Sequence, residues 1–173
     1  MKLNPTNLQC FSHCSQELLQ NQWVRALSQF PQHGSLSRLE HCTSVAYYSL
    51  CLSQILHIRV NRESLILGAM LHDFFFYNWY DKSQRPRFHG VRHAGIALQN
   101  AEQYFVLNDK ERNMILAHMW PLSRRMPHSK EALLICFIDK CCCIRELVLT
   151  VKYKVKKKSD DSHPTEPFSQ MNS

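Results

Sequence analysis

Leu65-Ile66-Leu67-Gly68-Ala69-Met70-Leu71-His72-Asp73 is an apolar run that ends on an imidazole and a carboxylate side by side. Leu65, Gly68/Ala69 and His72 recur at helical spacing, so the run predicts a helix whose buried face carries His72, with Asp73 about 100° further round. From there the pair can meet one ion from adjacent positions, or the carboxylate can bridge two ions with one oxygen on each. A single buried His or Asp is commonly a hydrogen-bonded core residue. The rest of the chain must supply the partners that make it a ligand.

The composition points to helices. The chain has 173 residues, 45% of them hydrophobic, enough for one domain with its own core. It has only 4 Gly and none of the Asn-Gly or Asp-Gly dipeptides that close hairpins, which argues against an all-β fold. The net charge of +7 owes much to Lys152, Lys154, Lys156, Lys157 and Lys158. That cluster reads as a basic tail and not as a groove, so a small phosphorylated partner fits and a specific nucleic-acid partner is not indicated. The N-terminal residues lack an apolar signal core and no run approaches the ~18 apolar residues of a membrane span. A cytoplasmic protein with reduced thiols is expected. The 8 Cys lack paired zinc-site spacing, and Cys10, Cys14 and Cys141 to Cys143 read as small hydrophobes.

In order, the periodicity predicts six helices. The first covers about Gln16 to Phe30, after an indefinite start, and ends at Pro31 and Gly34. The second is capped by Ser35 or Ser37 and buries His41, Val45, Tyr48, Leu52 and Ile55 on one face. Asn61 caps the third, which carries His72 and Asp73. The aromatic run Phe74 to Tyr80 has no period of its own and reads as a loop on the core or as a wall for a stacked base. His93, Ile96, Ala97 and Asn100 share a face of the fourth helix, with His89 just before it. Glu111, Met114/Ile115 and His118 align on the fifth. Ala132, Ile135, Asp139, Cys142 and Glu146 align on the sixth, Ser129 to about Thr150, where a buried carboxylate is costly unless paired or bound to a cation. Residues 1–34 thus read as a helix and loop packing on the core, 35–150 as a metal-binding helical domain, and 151–173 as a basic, disordered tail.

His41, His72, Asp73, His93, His118 and Asp139 are therefore polar residues on otherwise buried faces, and two divalent cations sharing Asp73 would satisfy them together. The order His, His-Asp, His, His, Asp, with Ala69-Met70-Leu71 before the pair and Ile138 before Asp139, resembles the HD-domain superfamily of metal-dependent phosphohydrolases, over about Ser35 to Glu146. The two extra histidines resemble its dinuclear subgroup. The resemblance implies an all-α, HD-domain-like bundle. It implies a first metal on His41, His72, Asp73 and Asp139, and a second on Asp73, His93 and His118, with His89 a rival for the His93 role. Imidazole with carboxylate suits Fe, Mn, Zn or Co better than Mg or Ca.

Two such ions lower the pKa of a shared water and clamp a phosphoryl group, so no Ser or Cys nucleophile is needed. The catalytic candidates are then Asp73 with His89 as proton donor to a leaving group. Arg38 and Arg92 head the candidates for the developing charge, with Arg87, Arg124, Arg125 and Lys140 behind them. Phe76 stands where the cyclic-di-GMP phosphodiesterase branch has Lys, and the acidic pair of the guanosine tetraphosphate hydrolases is missing. The pattern is nearest to the small di-iron enzymes that cleave dinucleoside polyphosphates, which makes a nucleotide or dinucleotide the expected substrate. A di-iron oxygenase and a non-catalytic nucleotide-binding domain are the competing readings.

Overall fold

A computed structural model describes residues 1–34 and 36–161, with the side chains of the last helix described through Tyr153. Seven α-helices and no strand are present among the described residues. They are α1 (Pro5–Leu18), α2 (Gln22–Ala26), α3 (Arg38–Ile55), α4 (Arg62–Leu71), α5 (His89–Ala101), α6 (Asp109–Ala117) and α7 (Lys130–Asp161), with a 3₁₀ turn at Leu27–Gln29. The all-α reading holds. No described helix is long and apolar enough to cross a membrane.

Most helices start on a cap written into the sequence. Ser37 and Glu40 close a capping box on α3, and Asn108 and Glu111 close another on α6. The Asn61 side chain accepts from Ser64 N at the head of α4, and Ser129 Oγ accepts from Ala132 N at the head of α7. The first helix departs from expectation. It begins at Pro5, where Asn4 caps it and proline suits the first helical position, and the chain breaks at Asn21, which caps α2. An apolar stripe running from Leu18 to Phe30 across that turn had suggested one helix.

Two further expectations are corrected. Ile55 is 51% exposed, because the drift of a 3.6-residue helix carries the end of α3 off the core and leaves Cys42, Ala46, Ser49 and Leu50 inside instead. The last helix does not stop near Thr150 but runs to Asp161. Lysine is a good helix former and its charge is favourable near a helix C-terminus, so the cluster from Lys152 to Lys158 extends the helix where disorder was expected. Residues 162–173 lie outside the described residues.

The core surrounds α4, which packs against α1, α3, α6 and α7 and buries Leu65, Ile66, Ala69, Met70 and Leu71. Gly68 sets the spacing to α6. A Cβ there would lie 2.6 Å from Met114 Sδ and 3.0 Å from Met114 Cβ, so a larger residue would push the two helices apart. This approach brings the C-terminal ends of α4 and α6 together, with the His72 and His118 rings 4.9 Å apart. Between the 3₁₀ turn and α3 the chain doubles back through Gly34 at φ +65, with Pro31 bridged to Ser37. A Cβ at Gly34 would strike Thr150 on α7. The tight turn delivers Gln32 and His33 to the ends of the helices that hold the polar residues.

Candidate metal centre

The six candidate ligands come from five helices and meet at one place. His41 lies in the first turn of α3 and His93 in the second turn of α5. His72 and His118 cap the C-termini of α4 and α6, where the negative end of the helix dipole favours a cation. Asp73 follows His72, and Asp139 sits midway along the buried face of α7. All six side chains are buried.

Asp73 Oδ1 lies 3.3 Å from His93 Nε2 and 3.6 Å from His118 Nε2. Asp139 Oδ1 lies 3.1 Å from His41 Nε2 and 3.6 Å from His72 Nε2. Ligand atoms of His41, His72 and Asp139 all lie within 4.8 Å of one another, and so do those of His72, Asp73 and His118. The arrangement therefore divides into two neighbouring groups that share His72, with Asp139 in the first and Asp73 in the second.

The Nδ1 atoms explain why the Nε2 atoms face inward. His72 Nδ1 is 2.7 Å from Ala69 O, His118 Nδ1 is 2.7 Å from Ile115 O, and His93 Nδ1 is 3.0 Å from His89 O. A carbonyl can only accept, so each of these Nδ1 atoms carries a proton, and a ring that holds only that proton turns a lone pair on Nε2 toward the centre. His93 Nε2 and His118 Nε2 then face each other at 2.8 Å, an arrangement that a proton or a cation must reconcile. His72 Nε2 and Asp73 Oδ1 are buried without a hydrogen-bond partner. Buried polar atoms seldom go unpaired, and two at the focus of four imidazoles and two carboxylates fit a metal site. Imidazole and carboxylate donors together suit a divalent transition metal better than Mg or Ca.

The electrostatics agree. Burial pushes the Asp73 carboxyl up, but the His72 and His93 imidazoles outweigh it and hold the group well below the usual carboxylate range. Asp139 is held down in the same way by His41 and His72. Burial disfavours charge on His41, yet its bonds to Asp139 and Glu146 raise it to about 10. Burial, with His72 and His93 alongside, pushes His118 down to about 3. The centre holds its acids ionised and balances them with shared protons that a cation would displace.

Three residues outside the ligand set complete the frame. Glu146 was visible on the buried stripe two turns beyond Asp139, but its role was not: both carboxylate oxygens lie 3.0 Å from His41 Nδ1. Gln32, which no sequence pattern flags, donates from Nε2 to Asp73 Oδ2 at 2.6 Å, which leaves Oδ1 to face the histidines. Arg38 has a different place from the one expected. It is fully buried, with Nε on Gln32 Oε1 at 3.0 Å, Nη1 on Phe75 O at 2.6 Å, and its plane 3.6 Å over the Phe75 ring. Its fork is turned to protein carbonyls and Gln32 and is fully buried, so it positions Gln32 and through it Asp73 and is not presented to a phosphoryl group.

His93, and not His89, reaches Asp73. His89 stands one turn earlier, with Nδ1 2.8 Å from the Tyr77 hydroxyl and its ring stacked on Trp79 at 5.7 Å. Burial and the nearby His93 push it down to about 4, so it is neutral at physiological pH and not a ready proton donor. Trp79 Nε1 and the Tyr80 hydroxyl both donate to Gln32 O, which fastens the aromatic loop over the centre. Arg92 is not brought to the ligands. It is exposed and lines a separate pocket of about 580 Å³ with Arg124 and Arg125.

Among protein families, the HD domain matches residues 38–142, well over half of the chain. The chain belongs to the HD domain family. Comparisons with curated proteins and with solved structures gave no match. The match runs from Arg38 to Cys142, so every proposed ligand of this HD domain lies inside it, while Gln32 and Glu146 lie beyond its two ends. HD domains bind divalent metals and are in general metal-dependent phosphohydrolases.

Proposed function

We propose that this HD domain holds two divalent transition metals and hydrolyses a phosphoester or phosphoanhydride bond of a nucleotide or dinucleotide. The observation that carries the reading is the pair of buried, unpartnered atoms, His72 Nε2 and Asp73 Oδ1, at the focus of the ligand set. His41, His72, Asp73 and Asp139 would hold one ion, and Asp73, His93 and His118 the other. Bound there, the pair supplies Lewis acidity toward phosphoryl oxygens and makes water acidic enough to attack at neutral pH.

The remaining work falls to the chain's own residues. Gln32 fixes one oxygen of Asp73 and Arg38 fixes Gln32, so the other oxygen is aimed before substrate arrives. Glu146 orients His41 and keeps its Nε2 directed at Asp139. In the tautomer whose Nδ1 accepts from the Tyr77 hydroxyl, neutral His89 carries its proton on Nε2 and would offer a hydrogen bond to a phosphoryl or leaving-group oxygen. The Trp79 face beside it suits a nucleobase, whose stacking contributes about 1–3 kcal/mol.

Metal quantification on anaerobically purified protein, followed by phosphate-release assays on nucleotides, dinucleotides and phosphodiesters, tests the proposal. Two equivalents of metal and metal-dependent phosphate release from one of these classes are expected. Iron-dependent O₂ consumption without phosphate release would replace the reading with an oxygenase. Asp73→Ala should lose metal and activity together.

A further inference from the structure

The outer face of α7 is unlike the outside of an ordinary domain helix. Phe137, Ile144 and Val151 are 58%, 63% and 60% exposed, and Cys141 and Val148 between them are exposed as well. These five residues fall at spacings of four, three, four and three, the a/d rhythm of a coiled-coil seam. Val155 continues the rhythm in register. The stripe lies opposite the face of the helix that packs on the core through Ile135, Asp139, Cys142 and Glu146. At its N-terminal end it runs into an apolar groove of about 770 Å³ that Leu133 and Phe137 share with Leu52, Leu56 and Ile58. A contiguous apolar surface of this kind marks a site where another macromolecule docks.

The charges beside the seam select the partner. In the register that puts Ile144 at d, the e positions beyond the buried Ile138 are the exposed Arg145 and Lys152, while the g flank carries Lys140, whose ammonium turns inward to His118 O and Cys136 O, and the exposed Leu147. The three acids within the same stretch, Glu131, Asp139 and Glu146, are all buried on the other side. The exposed charge on the e flank of the seam is therefore cationic, from Arg145 to Lys152, and such flanking charges decide which helix pairs with which. An antiparallel second copy would set Arg145 and Lys152 against their own counterparts, whereas a helix with Glu or Asp beside its seam would pair with them. We propose that the outer face of α7 docks an amphipathic helix of another protein whose apolar seam is flanked by Glu or Asp. The partner thereby sits on the far side of the helix that supplies Asp139 and Glu146 to the centre.

The probe is a designed peptide of about four heptads with Leu and Ile at a and d and Glu at e and g, titrated against the full chain by calorimetry. A twin peptide carrying Lys at e and g, and vesicles of anionic phospholipid, serve as comparisons. Saturable binding of the Glu peptide is expected, at least about tenfold tighter than that of the Lys peptide and weakening with salt. The Ile144→Gln/Val148→Gln variant should lose it at unchanged helical content, and Arg145→Glu/Lys152→Glu should transfer the preference to the Lys peptide. Equal affinity for the two peptides would overturn the proposal. So would a concentration-dependent dimer by light scattering, or vesicle binding without peptide binding.

Discussion

The two faces of α7 invert the usual order of a surface helix. The face against the domain buries Asp139 and Glu146, while the face toward solvent exposes Phe137, Ile144, Val148 and Val151. An ordinary helix turns hydrocarbon inward and charge outward because burial of an unpaired carboxylate is costly and burial of a large aliphatic side chain is favourable. Each face of α7 departs from that order for its own reason. The inner carboxylates are compensated by His41 and His72 and by the cations proposed for the centre. The outer hydrocarbon has no such compensation inside the described chain.

The sharpest way to break this contrast is to remove an inner acid. Asp139→Ala should abolish metal retention and reduce turnover by at least about a hundredfold, measured by elemental analysis and phosphate release on the same preparation. A milder change keeps the shape of the inner face and removes one charge. Glu146→Gln should weaken metal affinity by roughly 10–100-fold, read by competition with a chelator, while the protein stays folded.

Acid and base probe the same face in the metal-free chain. His41 is raised in the fold from 6.5 to about 10, so the stability it contributes is complete below pH 6.5 and is lost as pH rises through about 10. His118 is lowered from 6.5 to about 3, so the fold favours its neutral form and loses that stability as pH falls from about 6.5 toward 3. Urea midpoints of the metal-free chain should fall on both sides of neutrality, and saturating metal should oppose the alkaline loss because it takes the place of the His41 proton. The smallest effect belongs to the outer face. Ile144→Gln should change stability by no more than about 0.5 kcal/mol in urea unfolding, since the side chain is already largely in water.

How much of this was legible follows from distance along the chain. His41, His72, His93, His118 and Asp139 stood out because each is a polar residue at an apolar position of a helical repeat, which is local information. The cap at Asn61 was legible for the same reason, and that of α3 to within Ser35 or Ser37. The expectation for Arg38 failed because its partners, the carbonyls of Pro31, Phe75 and Tyr77, come from two loops distant in sequence and carry no side-chain signature. Glu146 could be placed on a face, but its pairing with His41 depends on how α3 and α7 cross. The outer stripe of α7 was hidden because a helix apolar on two sides reads in sequence as one that is simply buried.

The histidines that end α4 and α6 are built alike: each pins Nδ1 to the carbonyl three residues back in its own helix. The backbone, and not a flexible side-chain torsion, therefore aims the coordinating nitrogen. An incoming ion meets lone pairs that need little rearrangement, so its arrival should tighten the two helix ends by fractions of an ångström and leave the bundle's architecture as it stands before loading.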